Sequence, residues 1–209
     1  MKFYDCTTAP SPRRVRIFLA EKGVSVPTVQ VDLRNGEQFT EAFRAINPDC
    51  TVPVLQLDDG SIITDIVTIC AYIEELHPAP ALIGATPEAR AVVMSLTRQI
   101  ERDGLFAAMD AFRNWTRGFK SRALPGPHDY EQIPELAERG RARVAHFLRD
   151  TDARLAGREF VAGSRYSIAD ITAMVVVDFA AWAKLAVPEE CANLRRWYAA
   201  VSARPSAKA

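Results

Sequence analysis

The sequence predicts a two-domain α+β protein, in which a mixed β-sheet with flanking helices precedes an all-helical domain. Short valine- and isoleucine-rich runs alternate with amphipathic segments in the first part of the chain, and only helical periodicity follows. Between the two parts, the run His77-Pro78-Ala79-Pro80 places two prolines where neither fits inside a helix. We therefore predict a first domain over residues 1–78, a linker over 79–87 and an all-helical domain over 88–209.

The first domain is predicted to follow the order β-α-β-α-β-β-α. Its first helix should begin at Ser11-Pro12, because serine is a good N-cap and proline suits the first helical position. Gly23 should end that helix, and the turn Asp58-Asp59-Gly60 predicts a hairpin between the last two strands. The predicted strands cover 2–6, 28–33, 52–57 and 61–63, and the other two helices cover 39–46 and 65–77.

Four helices are predicted after the linker. Two prolines and a glycine within 124–128 should end the first of them. The third should begin at a capping box, Ser167-Ile168-Ala169-Asp170, in which the acidic side chain can accept a hydrogen bond from the serine amide. The other three are expected at about 88–122, 134–155 and 192–203.

Composition excludes several classes of function. The 26 basic and 26 acidic residues give a formal net charge of zero, which argues against a nucleic-acid-binding protein. The longest apolar run, Ala173 to Val177, is too short to cross a bilayer, so no membrane partner is expected. The four cysteines form neither a CxxC pair nor a metal-ligand spacing. We therefore expect reduced thiols, no metal site and a cytoplasmic location.

Five motifs, in order along the chain, give a family resemblance. They are Arg14 to Gly23 (RVRIFLAEKG), Asn47-Pro48-x-x-x-Val52-Pro53-Val54-Leu55, Asp59-Gly60, Tyr72-Ile73-Glu74-Glu75 and Ser167-Ile168-Ala169-Asp170-Ile171. Together they resemble the bacterial members of the cytosolic glutathione transferase superfamily, from Phe3 to about Val201. The resemblance implies a thioredoxin-like first domain, glutathione as co-substrate and a symmetric homodimer.

The resemblance also assigns glutathione-binding roles. Pro53 is expected to be cis, so that the backbone of Val52 faces the cysteinyl part of glutathione. Asp65 corresponds to the acid that pairs with the glutamyl ammonium, although it can equally act as a simple N-cap. Ile66 stands where the family has a serine, so only its N–H remains for the glutamyl carboxylate. Gln38 is the candidate for the glycyl carboxylate, and a solvated surface glutamine is the alternative.

The position at which the family carries the residue that activates the glutathione thiol is unusual in this sequence. Glutathione transferases stabilise the thiolate, and an ordinary thiol has a pKa near 8.5. The serine or cysteine of the theta-like and omega-like classes corresponds to Ala9, and the tyrosine of other classes falls near Asp5; neither side chain can donate a hydrogen bond. Ser11 lies two residues further on, where other classes of the family carry a cysteine or an asparagine, so the resemblance implies that it is the candidate catalytic residue unless its hydroxyl serves only as a helix cap. Thr7 and Thr8 are weaker substitutes.

Apolar residues of the first helix after the linker are candidates for the electrophile site. They are Phe106, Met109, Phe112 and Trp115. By the resemblance they line a pocket for a hydrophobic electrophile, whereas their helical spacing by itself predicts core packing.

Two other functions stay open. A glutathione-transferase-like binding protein with little or no catalysis is compatible with Ala9 and Ile66. A glutathione-dependent isomerase of the zeta type is suggested by Arg14-Val15-Arg16, although the Ser-Ser-Cys-Ser run typical of that class is absent. Redox chemistry is less favoured, because Ala9-Pro10-Ser11-Pro12 has no thiol where glutaredoxins have C-P-x-C.

Overall fold

The computed structural model describes all 209 residues, which form two compact units. The first unit consists of Met1–Pro80 with Leu124–His128 and the terminal Ala209. The second consists of Ala81–Ala123 and Asp129–Lys208.

The first unit is a four-stranded mixed sheet with three helices, in the predicted order. The strands are β1 (Lys2–Asp5), β2 (Thr28–Gln30), β3 (Val54–Gln56) and β4 (Ile62–Ile63), and the helices are α1 (Pro10–Lys22), α2 (Glu41–Arg44) and α3 (Ile66–Leu76). The spatial order is β2-β1-β3-β4. Strand β1 is parallel to β2 and antiparallel to β3, and β3 is antiparallel to β4.

A buried ion pair joins α1 to α3. The ammonium of Lys22, near the end of α1, contacts the carboxylate of Glu74 in α3, and both side chains are almost fully buried. The same ammonium donates to the carbonyl oxygens of His77, at 2.8 Å, and Pro80. A buried cation is tolerated only when it is paired in this way, so Lys22 fixes the end of the first unit against α1.

The second unit is entirely helical. Its helices are α4 (Pro87–Ile100), α5 (Phe106–Arg113), α6 (Pro134–Arg154), α7 (Ile168–Trp182) and α8 (Ala192–Ser202), and the π-helical turn Glu101–Leu105 joins α4 to α5. Gly140 of α6 lies against the backbone of α5, and a Cβ there would be 2.6 Å from the Ala111 nitrogen. Only glycine allows these two helices to approach so closely.

The predicted helix over 88–122 is too long, because α5 ends at Arg113. The buried Asn114 donates from Nδ2 to the carbonyl of Asp110 and accepts from the N–H of Ile133. Gln132 donates to the carbonyls of Arg113 and Thr116. These side chains satisfy the carbonyl groups at the helix end, so tertiary contacts end the helix earlier than the turn residues at 124–128 predict.

Helix α7 is the buried centre of the second unit, and it begins at the predicted capping box. Asp170 accepts hydrogen bonds from the N–H of Ser167 at 3.0 Å and from its hydroxyl at 3.1 Å. It also accepts from the N–H of Val161 and the indole of Trp197, both at 2.9 Å. Burial raises the pKa of Asp170 to about 6 despite these four donors.

No helix of the protein is both long and apolar enough to span a bilayer. All four cysteines are free and buried. No three His, Cys, Asp or Glu side chains lie together as metal ligands would.

Candidate active site

The start of α1 differs from the prediction. The N-cap is Ala9, whose backbone is extended and whose side chain caps nothing, and Pro10 is the first helical residue. Ser11 is therefore the second residue of the helix, and the prediction that it acts as the N-cap is wrong. Its side chain is half-buried, and its hydroxyl makes no hydrogen bond within the protein.

The loop before α1 is held by polar contacts. The buried carboxylate of Asp5 accepts hydrogen bonds from Arg16 and Gln30, both at 2.6 Å. Arg16 also donates to the carbonyl oxygens of Cys6 and Thr7. The side-chain oxygen of Gln30 accepts from the N–H and the hydroxyl of Thr7. This network fixes the loop and occupies the Thr7 hydroxyl.

The Val52-Pro53 peptide is cis, as predicted. The Val52 side chain is buried in a cluster with Cys6 and Val54, and Ala9 packs against that cluster. The start of α1 therefore lies beside the cis peptide. The N–H and C=O of Val52 make no hydrogen bond within the protein, so both are available to an extended peptide ligand.

The turn before Val52 is fixed by a buried side chain. Asn47 donates from Nδ2 to the carbonyl of Thr51 at 2.9 Å and accepts from the N–H of Asp49 at 3.1 Å. Cys50, which lies between Asp49 and Thr51 in the chain, is buried and has a φ of 53°, a left-handed conformation that favours glycine. The Asn-Pro motif thus holds the tight turn that leads into the cis peptide.

At the start of α3, Asp65 is the N-cap. Its Oδ1 accepts hydrogen bonds from the N–H and the hydroxyl of Thr68, each at 2.8 Å. Ile66 is the first helical residue, and its N–H is among the groups that have no partner inside a helix. Thr68 was not identified in the sequence analysis. The spacing Asp-x-x-Thr, in which an N-cap side chain can bond to the residue three positions on, would have indicated this contact.

Gln38 lies in a short 3-10 helix, Glu37–Phe39, and is half-buried. Its side-chain oxygen is buried and has no hydrogen-bond partner. A buried side-chain oxygen without a partner is uncommon, so this position has an acceptor that a ligand or a water molecule can satisfy.

Two of the four predicted electrophile-site residues line a common pocket. The pocket lies within the helical unit and has a volume of about 520 Å³. Its lining consists of Ala111, Phe112, Trp115, Thr116, Arg117, Arg141, Trp182, Ala183 and Lys184. Phe106 and Met109 are not part of this lining, and Phe106 is 44% exposed. Sequence reasoning missed Arg141, Trp182 and Lys184, because they come from helices far apart in the chain.

Two family models match the chain. The model "Glutathione S-transferase, N-terminal domain" matches residues 8–76, and the model "Glutathione S-transferase, C-terminal domain" matches residues 97–205. The chain is also 40% identical over 93 residues to maleylacetoacetate isomerase of Pseudomonas aeruginosa, which covers 44% of each protein.

Similarity extends over the whole chain in other relatives. Glutathione S-transferase 2 of Saccharomyces cerevisiae is 39% identical over 211 residues, which cover 100% of this chain and 88% of that protein. The crystal structure of Gtt2 from the same yeast has a TM-score of 0.91 at 39% identity and covers 100% of this chain and 99% of its own. A glutathione S-transferase domain-containing protein of Marinobacter aquaeolei also has a TM-score of 0.91, at 39% identity and 99% coverage of both chains. The chain therefore belongs to the cytosolic glutathione transferase superfamily and is an enzyme of that family.

Proposed function

We propose that the protein conjugates the glutathione thiolate to a hydrophobic electrophile. The observation that carries this proposal is the backbone of Val52, whose N–H and C=O make no hydrogen bond within the protein and lie beside the start of α1. A tripeptide bound along Val52 brings its central cysteine to the first turn of that helix, where the thiol is to be ionised.

The two ends of glutathione have separate candidate partners. The glutamyl carboxylate is to be held by the free N–H groups at the start of α3, where the helix dipole also favours an anion. The glutamyl ammonium is assigned to Asp65, whose Oδ2 makes no hydrogen bond within the protein. The glycyl carboxylate is assigned to Gln38, whose amide nitrogen can donate. Ile66 provides no hydroxyl, and the loss of that hydrogen bond costs about 1–3 kcal/mol of affinity.

The thiolate is assigned to the hydroxyl of Ser11, or to backbone N–H groups at the start of α1. Lowering a thiol pKa by about two units requires roughly 2.7 kcal/mol. A hydroxyl bonded to a charged sulfur supplies about 1.5–3 kcal/mol. The four backbone positions whose N–H groups would have no partner inside α1 are Ala9 to Pro12. Pro10 and Pro12 carry no N–H, and the N–H of Ala9 donates to the carbonyl of Cys6, so only that of Ser11 remains. This shortage of backbone donors favours the Ser11 hydroxyl as the principal donor.

The reaction follows from this arrangement. The thiol proton passes to solvent, and the thiolate attacks an electrophilic carbon to form a C–S bond. The protein's contribution is to raise the fraction of thiolate at neutral pH and to hold it close to the electrophile. The electrophile is assigned to Phe112 and Trp115, which line one cavity of the helical unit.

Isothermal titration with glutathione, followed by a conjugation assay, tests the proposal. Glutathione binding with conjugation supports it. Glutathione binding without conjugation of any model electrophile favours the binding-protein alternative, which Ala9 and Ile66 keep open. No glutathione binding at millimolar concentration contradicts both.

A zeta-type isomerase is the second candidate. Its support is the partial match to the maleylacetoacetate isomerase named above, together with the Arg14-Val15-Arg16 stretch. Glutathione-dependent isomerisation of maleylacetoacetate at a rate well above conjugation is the result that would establish it in place of the transferase proposal.

We also propose a cytoplasmic homodimer that acts in detoxification. Isologous two-fold interfaces are the commonest assembly. Helix α4 carries exposed apolar side chains within the segment from Ala89 to Ile100, and Val92 is 57% exposed.

A further inference from the structure

The pocket of the helical unit, defined above by its nine lining residues, has an uneven charge. Arg117, Arg141 and Lys184 contribute three positive charges, and no acidic residue is part of the lining. None of the three cations is in an ion pair. Because the chain as a whole has a net charge of zero, this local excess is not a reflection of its overall composition.

One of these cations is held in place by the backbone. Arg141 of α6 donates to the carbonyl of Ala183 at 2.8 Å, and its guanidinium lies 5.6 Å from the centre of the Trp115 ring. Lys184 follows the end of α7 with a φ of 61°, a left-handed conformation that glycine adopts more readily than lysine.

The rest of the pocket is aromatic. Phe112 packs against Trp182 with ring centres 5.8 Å apart, and Trp115 and Trp182 are 66% and 49% exposed. Phe112 and Trp182 also pack edge-on against Phe179, which supports them from behind. Two large indole rings that remain exposed at one open cavity are suited to contact a planar ligand.

We propose that this pocket binds planar aromatic molecules that carry a carboxylate or sulfonate group. The aromatic ring packs between the exposed indoles, and the anionic group pairs with Arg117, Arg141 and Lys184. A neutral hydrophobic molecule of the same size leaves these cations without a counter-charge, so the pocket selects for the anion. Binding of such a molecule in this pocket is independent of the proposed function. Its use as the electrophile rests on the proposed function.

Calorimetric titration without glutathione tests the binding. The probes are 2-naphthoate and its neutral analogue 2-naphthalenemethanol, which share the same ring. We expect naphthoate to bind about ten-fold or more tightly than the alcohol, and its affinity to fall as salt increases.

Charge-removing variants locate the site. Lys184→Gln and Arg117→Gln should each weaken naphthoate binding by about three- to ten-fold and leave binding of the alcohol unchanged within about two-fold. Lys120→Gln removes an exposed positive charge near Arg117 but outside the pocket lining, and should leave the naphthoate affinity unchanged. Both pocket residues are exposed, so these substitutions are not expected to prevent folding.

A matched pair of electrophiles connects the pocket to catalysis. Glutathione displaces chloride from chlorodinitrobenzene and from chlorodinitrobenzoate by the same reaction: the C–S bond forms, and chloride leaves with the electrons of the C–Cl bond. Lys184→Gln should lower the ratio of kcat/KM for the benzoate to that for the neutral compound by about three-fold or more, and Lys120→Gln should leave this ratio unchanged.

The outcomes are separable. Equal affinity for naphthoate and the alcohol, absence of binding at millimolar ligand, or an effect of Lys120→Gln as large as that of Lys184→Gln overturns the proposed site. Selective naphthoate binding that Lys184→Gln weakens supports the site even if neither electrophile is conjugated. In that last case it is the proposed transferase function that fails.

Discussion

The indole N–H of Trp197 donates a 2.9 Å hydrogen bond to Oδ1 of Asp170, and both side chains are fully buried. The same carboxylate accepts from the backbone of Val161 and from Ser167. One side chain therefore joins the start of α7 to α8 and to the loop between α6 and α7. Because every donor is buried, removing the acceptor leaves several N–H groups unsatisfied.

Asp170→Ala is accordingly expected to destabilise the protein strongly. An unsatisfied buried donor costs about 1–3 kcal/mol, so we expect a loss of about 3–5 kcal/mol in the free energy of unfolding. Urea unfolding followed by circular dichroism at pH 7 measures it. The exposed Asp150→Ala on α6 is the control and should change stability by less than about 0.5 kcal/mol. Equal stability of the two variants would contradict this account of the capping box.

The pH dependence of stability provides a separate test of Asp170. Burial raises its folded-state pKa from 3.8 to about 6, so between these values the folded state binds more protons than the unfolded state. The contribution of this carboxyl to stability is therefore largest below pH 4 and falls as pH rises towards 6, by up to about 3 kcal/mol. The Asp170→Asn variant has no carboxyl at this position, so this contribution to the pH dependence of its stability is absent. The stability difference between wild type and Asp170→Asn should be larger at pH 4.5 than at pH 7, and a difference that grows with pH contradicts the raised pKa.

Cys50 tests the turn that leads into the cis peptide. Its φ of 53° is unfavourable for every residue except glycine, by about 1–2 kcal/mol. Cys50→Gly and Cys50→Ala both remove the buried thiol, but only the glycine variant relieves the backbone. We expect Cys50→Gly to be about 1 kcal/mol more stable than Cys50→Ala in thermal or urea unfolding. The control is Ala145→Gly in α6, where glycine should be the less stable residue by about 1 kcal/mol.

Local sequence signals predicted a large part of the first unit. The strand order along the chain and, in the second unit, the Asp170 capping box depend on short motifs whose partners lie nearby in sequence. The cis peptide at Val52-Pro53 was expected from the family resemblance. The end of α5 at Arg113 depends instead on Asn114 and Gln132, which make hydrogen bonds across a loop. Ser11 was misplaced because Ser-Pro is a strong helix start, whereas the chain is already helical from Pro10.

The pocket of the helical unit was beyond prediction for a related reason. Phe112 and Trp115 were candidates because the family resemblance implies an electrophile site on this helix. Arg141, Trp182 and Lys184 converge on the same cavity from α6 and the end of α7, and no sequence spacing relates them. The charge of the pocket, and with it the class of ligand, therefore emerged only from the three-dimensional arrangement.

The proposed homodimer is tested on α4. Val92 is 57% exposed and lies within the segment from Ala89 to Ile100 that we expect at the two-fold interface. Val92→Glu places two like charges close to the symmetry axis and should shift the protein towards monomer at micromolar concentration. Light scattering measures the mass. Ala199→Glu, on an exposed position of α8, should leave the mass at twice that of one chain, and a monomeric wild type contradicts the proposal.

Ser11→Ala tests the assigned thiolate donor. A hydrogen bond to the anion stabilises the thiolate and hardly affects the neutral thiol, so the variant should raise the pKa of bound glutathione while glutathione affinity is almost unchanged. The conjugation rate at neutral pH should fall by about ten-fold or more, because about 1.4 kcal/mol corresponds to one decade in rate. The pKa is followed by the ultraviolet absorbance of the bound thiolate, and the rate by conjugation of chlorodinitrobenzene.

Since the Ser11 hydroxyl caps nothing, the free energy of unfolding should change by less than about 0.5 kcal/mol, which separates a catalytic effect from a folding defect. Thr8→Ala, which changes a neighbouring hydroxyl outside the helix, is the matched control and should retain the wild-type rate. If Ser11→Ala conjugates at the wild-type rate, the backbone N–H of residue 11, which the substitution keeps, carries the stabilisation, because the first turn leaves no other free backbone donor. A lower rate for Thr8→Ala would assign the stabilisation to the Thr8 hydroxyl instead.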